Sequence, residues 1–254
     1  MKNEKIVLTK VSILHYIRLV YRSALFLTAL VSYIMIRIRQ GSFSIDYQSL
    51  IVRLIWIIFA VEMVLRFFPS RLESPGCQKQ FAKNYIKSGN TEIQVQDNHA
   101  TMLIALIWIC LNAIIGAFYM SGIFDDGIMI LLCCAYSVCD LICILFFCPF
   151  QTWFMKNKCC SSCRIYNWDY AMMFTPLFFV RNFYSWSLLA MAMILMIRWE
   201  ITFYLHPERF SERTNDYLKC AGCTEKLCTH KKQLGRLWEQ IAAFTAERTK
   251  MLRK

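Results

Sequence analysis

Apolar residues in this chain come in long blocks separated by charged connections, rather than alternating with polar ones as in a barrel strand. A helix needs about 20 mostly apolar residues to cross roughly 30 Å of hydrocarbon. Residues 101–120 and 128–147 meet that requirement, the second with one acid, Asp140. Residues 21–38, 50–68 and 183–205 meet it with a charge inside the block or at its edge. A further apolar stretch, Tyr170 to Val180, is shorter and is interrupted by Pro176. The pattern predicts an all-α fold: a polytopic helical membrane protein with about five long spanning helices plus one short or re-entrant helix.

The breaks divide the chain in two. Residues 1–205 form the expected transmembrane helical domain, with a cysteine-bearing loop at 149–168. Residues 206–254 form a basic, cysteine-containing tail. Near its end Leu234, Leu237, Trp238, Ile241 and Phe244 recur at helical spacing, which predicts an amphipathic helix. The adjoining Lys231-Lys232 and Trp238 suit a membrane surface, with packing on a partner helix or on the chain's own loops as the alternatives. The short acidic connection Ser121 to Gly127 makes the two helices it joins antiparallel neighbours.

Composition supports this class. Charged residues make up 18% of the chain, against about a quarter in an ordinary soluble domain. The net charge of +12 is concentrated in the connections, which points to anionic lipid headgroups. Nucleic acid is not an expected partner, because no recognition motif accompanies the charge; other membrane subunits are. Lys2, Lys5 and Lys10 place the N-terminus on the cytoplasmic side by the positive-inside rule. A cleaved signal is not expected, since Arg18 and Arg22 interrupt the apolar stretch that follows. Placing the basic tail on the cytoplasmic side as well requires an even number of crossings, so the parity rests on residues 170–180.

Two features carry candidate chemistry. The first is a pair of Cys-x-x-Cys motifs, Cys160-Ser-Ser-Cys163 and Cys220-Ala-Gly-Cys223. Each tight turn brings two sulfurs to one side, and four thiolates suit a tetrahedral zinc ion, with iron or an iron-sulfur cluster as alternatives. Cys159, Cys228 and His230 are alternate ligands. Lys158, Lys219, Lys226 and Lys231 surround these cysteines in sequence and would also suit a redox-active dithiol, and a disulfide pair is the third possibility where the pairs face an oxidising compartment. The cysteines within apolar blocks, Cys110, Cys133, Cys134, Cys139 and Cys143, read as small packing residues.

The second feature is a set of intramembrane polar residues: Glu62, Asp140, Arg53, Arg181 and Glu200. A charge at the centre of the bilayer costs about 2.5–3.5 kcal/mol, so each needs a partner or a function. Glu62 and Arg66, four apart, are expected to neutralise each other. Asp140 needs a partner from another helix, with Arg53 or Arg181 as candidates.

Nucleotide-binding glycine loops, His-Glu-x-x-His and Gly-x-Ser-x-Gly motifs do not occur. The functional expectation is a membrane-embedded accessory or redox protein with a cysteine-ligated metal site on the internal face. The alternatives are a small ion or solute transporter or channel subunit using the intramembrane carboxylates, and a structural subunit of a larger membrane complex.

Overall fold

The computed structural model describes residues 9–40, 50–69, 75–95, 98–155, 163–223 and 226–236. Among these residues the fold is helical, with a single isolated bridge between Lys87 and Asn215 and no strand. The helices are α1 (Lys10–Gln40), α2 (Leu50–Leu65), α3 (Pro75–Gln80), α4 (Asn98–Met120), α5 (Asp126–Leu145), α6 (Asp169–Phe174) and α7 (Phe183–Leu205). A tail helix, α8, is described over residues 227–236.

Local chemistry sets several boundaries. Asp125 caps α5 by accepting the Ile128 N–H at 3.0 Å, and Asn182 caps α7 by accepting that of Tyr184 at 2.9 Å. The helical bonds of α2 give way to a tighter turn over residues 66–68, whose N–H groups bond to Met63, Val64 and Leu65, just before Pro69. Four helices, α1, α4, α5 and α7, are long and apolar enough to cross a membrane, consistent with an integral membrane protein. That count is lower than the five expected, because α2 has only 16 residues and spans about 24 Å at 1.5 Å per residue.

The short apolar stretch is a bent element. α6 runs to Phe174, and a 3-10 turn, Thr175–Phe178, carries the chain through Pro176. It packs on α5 and α7 and supplies Tyr170, Met173, Phe174 and Leu177 to the main core. Its far end is admitted by Gly116 of α4, where any Cβ would run into the Phe179 ring.

This bent element also sorts the molecule into two ends. Arg164, just before α6, bonds Glu200 near the C-terminal end of α7 and Asn98 at the start of α4. Val180 and Phe179, just after the turn, pack with Tyr119, Phe124 and Met129 at the α4–α5 connection. Residues 164–180 therefore run the length of α7, and the segment after α5 lies at the same end as the tail. The same end holds the start of α1, where Tyr16 meets His230 of α8 at 2.7 Å. Tyr33 and Arg37 mark the opposite end of α1, beside Asp125.

The distribution of polarity is inverted relative to a water-soluble protein. Arg22, Arg66 and Lys79 are almost fully buried, whereas Ile17, Val20, Leu27, Val31 and Ile38 of α1 are exposed. Met102, Leu106, Ile109 and Ile114 make a similar exposed apolar surface on α4. Apolar patches of this extent mark contact with lipid or with another apolar surface.

Candidate functional site

Near the middle of the bundle, α1, α2, α5 and α6 bring their charges together. Arg22 donates to Glu62 Oε2 at 2.6 Å and to the Ser137 carbonyl at 3.3 Å. Arg18 lies 3.5 Å from Glu62, and the hydroxyls of Tyr21 and Tyr170 also donate to that carboxylate, the second at 3.0 Å. Arg66 pairs with Asp169 at 2.5 Å, with its guanidinium 4.5 Å from the centre of the Tyr170 ring. Three arginines thus face Glu62, Asp140 and Asp169, and Asp140 is the least committed acid, 3.9 Å from Arg22. His15 is buried beside this network, and neither of its ring nitrogens has a hydrogen-bond partner among the described residues.

These pairings correct the expected ones. Glu62 is neutralised by α1 rather than by Arg66, because its carboxylate points at Arg22 while Arg66 turns toward α6. Asp140 meets Arg22 rather than Arg53, which is exposed. Arg181 is exposed too, and lines a groove with Asp126 and Tyr119 at the opposite end of the bundle. Glu200 serves Arg164, which also reaches Asn98 at 2.7 Å and lies over the Phe203 ring at 4.1 Å. Arg198 donates to the Phe67 carbonyl at 2.7 Å.

Next to the charge network lies a partly open cavity of about 320 Å³ between α4, α5, α6 and the turn that follows α5. Trp108, Tyr136, Ile144, Phe150 and Met172 make much of its apolar wall, and Asp140 and Asp169 reach it from the network side. Cys143 and Cys148 also line it. The two thiols lie near each other across the end of α5, both on the cavity wall. The neighbouring Cys143 thiol, with the Gln151 N–H at 3.4 Å and the nearby Lys231 ammonium, outweighs burial and brings the Cys148 thiol down to about 6. Lys231 is held in place from the tail by donating to the Cys143 carbonyl at 2.6 Å.

The expected metal ligands are arranged differently. Cys159 and Cys160 lie outside the described residues. Cys163 is buried against Ile104 and Ile165 and lines the same cavity as Cys143 and Cys148. Cys220 is exposed, and Cys223 receives Lys79 Nζ at 3.6 Å. His230 is turned to Tyr16, and Cys228 sits on the same short helix, α8. Among the described residues no three His, Cys, Asp or Glu side chains stand close enough to hold a metal ion. The described part of α8 packs back on the bundle, with Leu227 against Leu141, Ile144 and Leu145; the remainder of the expected amphipathic helix lies outside the described residues.

Residue patterns missed Arg22, Asp169 and the pairing of Cys143 with Cys148. Arg18 and Arg22 sit where a basic N-terminal flank is expected, although their four-residue spacing on one helix face was a usable signal. Cys143 and Cys148 are five apart, a spacing that meets only because α5 ends at Leu145 and the chain turns. No family model, curated protein or solved structure matches this chain.

Proposed function

We propose that the protein is a multi-pass membrane protein that carries out dithiol–disulfide redox chemistry, with Cys143 and Cys148 as the reactive pair. The observation that carries this reading is that both thiols line one cavity at the end of α5, with a backbone N–H on Cys148. A thiolate is the nucleophile in thiol–disulfide exchange, and its partner thiol must be within reach to resolve the bond. Groups from α5, the turn after it and the tail support both conditions here. The basic residues of the tail and N-terminus support placing that end of the bundle on the cytoplasmic side.

The test is mass mapping after mild oxidation of the membrane-embedded chain. A Cys143–Cys148 disulfide that forms before other cysteine pairs, and is absent in Cys148→Ser, is the expected result. Preferential pairing of other cysteines would remove the basis of the reading. A metal site including Cys160, Cys163, Cys220 and Cys223 remains a separate proposal. Anaerobic purification with close to one zinc or iron atom per chain would support it, and fewer than about 0.3 would reject a tightly held structural ion.

A second reading has its own observation. Asp140 lines the cavity yet lies at the edge of contact with Arg22, as a carboxylate that exchanges a proton or cation would. In a carrier, Asp140→Asn abolishes flux in proteoliposomes while Cys148→Ser leaves it intact. The dithiol reading expects Cys148→Ser alone to abolish disulfide formation.

A further inference from the structure

The cavity beside the thiol pair has a composition that selects its occupant. Its wall is apolar and partly aromatic, with the Trp108 and Tyr136 rings 4.9 Å apart between centroids. Its polar groups are few and sit at one side, where Asp140 lies one helical turn before Cys143. Its volume of about 320 Å³ falls at the small end of small-molecule sites. It is flanked by α4, whose outer face exposes Leu103, Leu106 and Ile107. A molecule arriving here comes most readily from an apolar phase, and the wall it meets carries Cys143 and Cys148 together with Cys139 and Cys163. A large, multiply charged water-soluble disulfide such as glutathione fits this wall poorly, because most of the lining is apolar and the acids it carries repel carboxylates.

We infer that the cavity binds the ring of a lipid-soluble quinone, which exchanges two electrons with the Cys143–Cys148 pair. This rests on the dithiol reading given above. In the oxidising direction the two sulfurs form one S–S bond and release two electrons and two protons. The quinone takes up both electrons at its carbonyls and becomes a quinol with two new O–H bonds. The Cys143 proton passes through Asp140, the carboxylate nearest on the cavity wall. The second proton comes from solvent and replaces the one that Cys148 has already released as a thiolate. The Cys148 thiolate adds to a ring carbon of the quinone and forms an S–C bond; the Cys143 sulfur, on losing its proton, then attacks Cys148 Sγ, and the S–C bond breaks with its electron pair leaving on the ring as the quinol. Asp140 is a proton-transfer group on the cavity wall.

The probe is decylubiquinone, whose ring is fully substituted, added to the reduced full-length chain in nanodiscs. The expected result is one quinone reduced per chain, followed by its ultraviolet absorbance, with a Cys143–Cys148 disulfide found by peptide mass. Cys148→Ser and Cys143→Ser each abolish both signals. Met172→Trp, which fills the cavity, slows quinone reduction at least tenfold and leaves oxidation by the water-soluble reagent diamide unchanged. If diamide forms the Cys143–Cys148 bond and decylubiquinone does not, the quinone assignment is overturned and the dithiol reading stands. If neither oxidant forms that bond, both fall together. Equal slowing of both oxidants by Met172→Trp would also overturn the cavity as the quinone site.

Discussion

At the scale of single residues, the Cys148 sulfur and the Glu62 carboxylate are the groups whose surroundings most constrain their chemistry. Cys148 is held near 6 by the Cys143 thiol, so alkylation by iodoacetamide has its midpoint near pH 6 rather than about 8.5. Cys143→Ala removes the first of its supports, and the midpoint measured by peptide mass moves upward. Between these two pH values the folded chain binds fewer protons than the unfolded one, so this group's contribution to stability grows with pH and is lost on falling through 6. Glu62 accepts from Arg22, Tyr21 and Tyr170 and faces Arg18. Glu62→Gln leaves two buried guanidinium groups short of an anion and costs about 3–5 kcal/mol. Thermal unfolding in detergent reads this loss, and adding Arg22→Met recovers a substantial part of it. Little of this pairing was legible in the sequence. Charges inside apolar blocks announce that partners exist, but Glu62 chose residues 40 positions away over Arg66 one turn along.

Elements were more legible than contacts. The apolar blocks located α1, α4, α5 and α7 because a run of some 20 apolar residues has few other uses. The length of α2 and the bend through Pro176 were less legible, since both depend on how the chain turns after its last helical bond. The close passage of this bent element across α4 depends on Gly116. Gly116→Ala forces the Phe179 ring aside and destabilises the fold by about 1–3 kcal/mol. Phe179→Leu in the same chain, measured by thermal unfolding, restores part of that loss because the obstructing ring is gone. The expected metal site shows the limit of motif spacing: two Cys-x-x-Cys turns state which sulfurs lie side by side, but not what each pair faces. Cys163 faces a cavity, and Cys223 faces Lys79.

For the whole molecule, the sorting of ends by residues 164–180 makes a direct prediction about sidedness. Cys220 and a cysteine placed at Ser121 lie at opposite ends of the bundle and are both exposed. Impermeant maleimide applied to sealed vesicles of one orientation labels one of them, and vesicles of the other orientation give the complementary result. Labelling of both from one side would refute the proposed multi-pass arrangement. The central network also bears on how such a chain enters a bilayer during synthesis. In the proposed multi-pass arrangement α1 would carry Arg18 and Arg22 into hydrocarbon before their counter-charge on α2 has been made, and each arginine at a helix centre opposes insertion by about 2.5–3.5 kcal/mol. The first helix is therefore a poor stop on its own and becomes a good one only as a hairpin with the second. In an insertion assay with a glycosylation reporter, α1 alone is retained inefficiently, α1 joined to α2 inserts well, and Glu62→Gln returns the pair to the behaviour of the single helix. That outcome would make the ion pair of the finished core a requirement for stable insertion of the first helix as well.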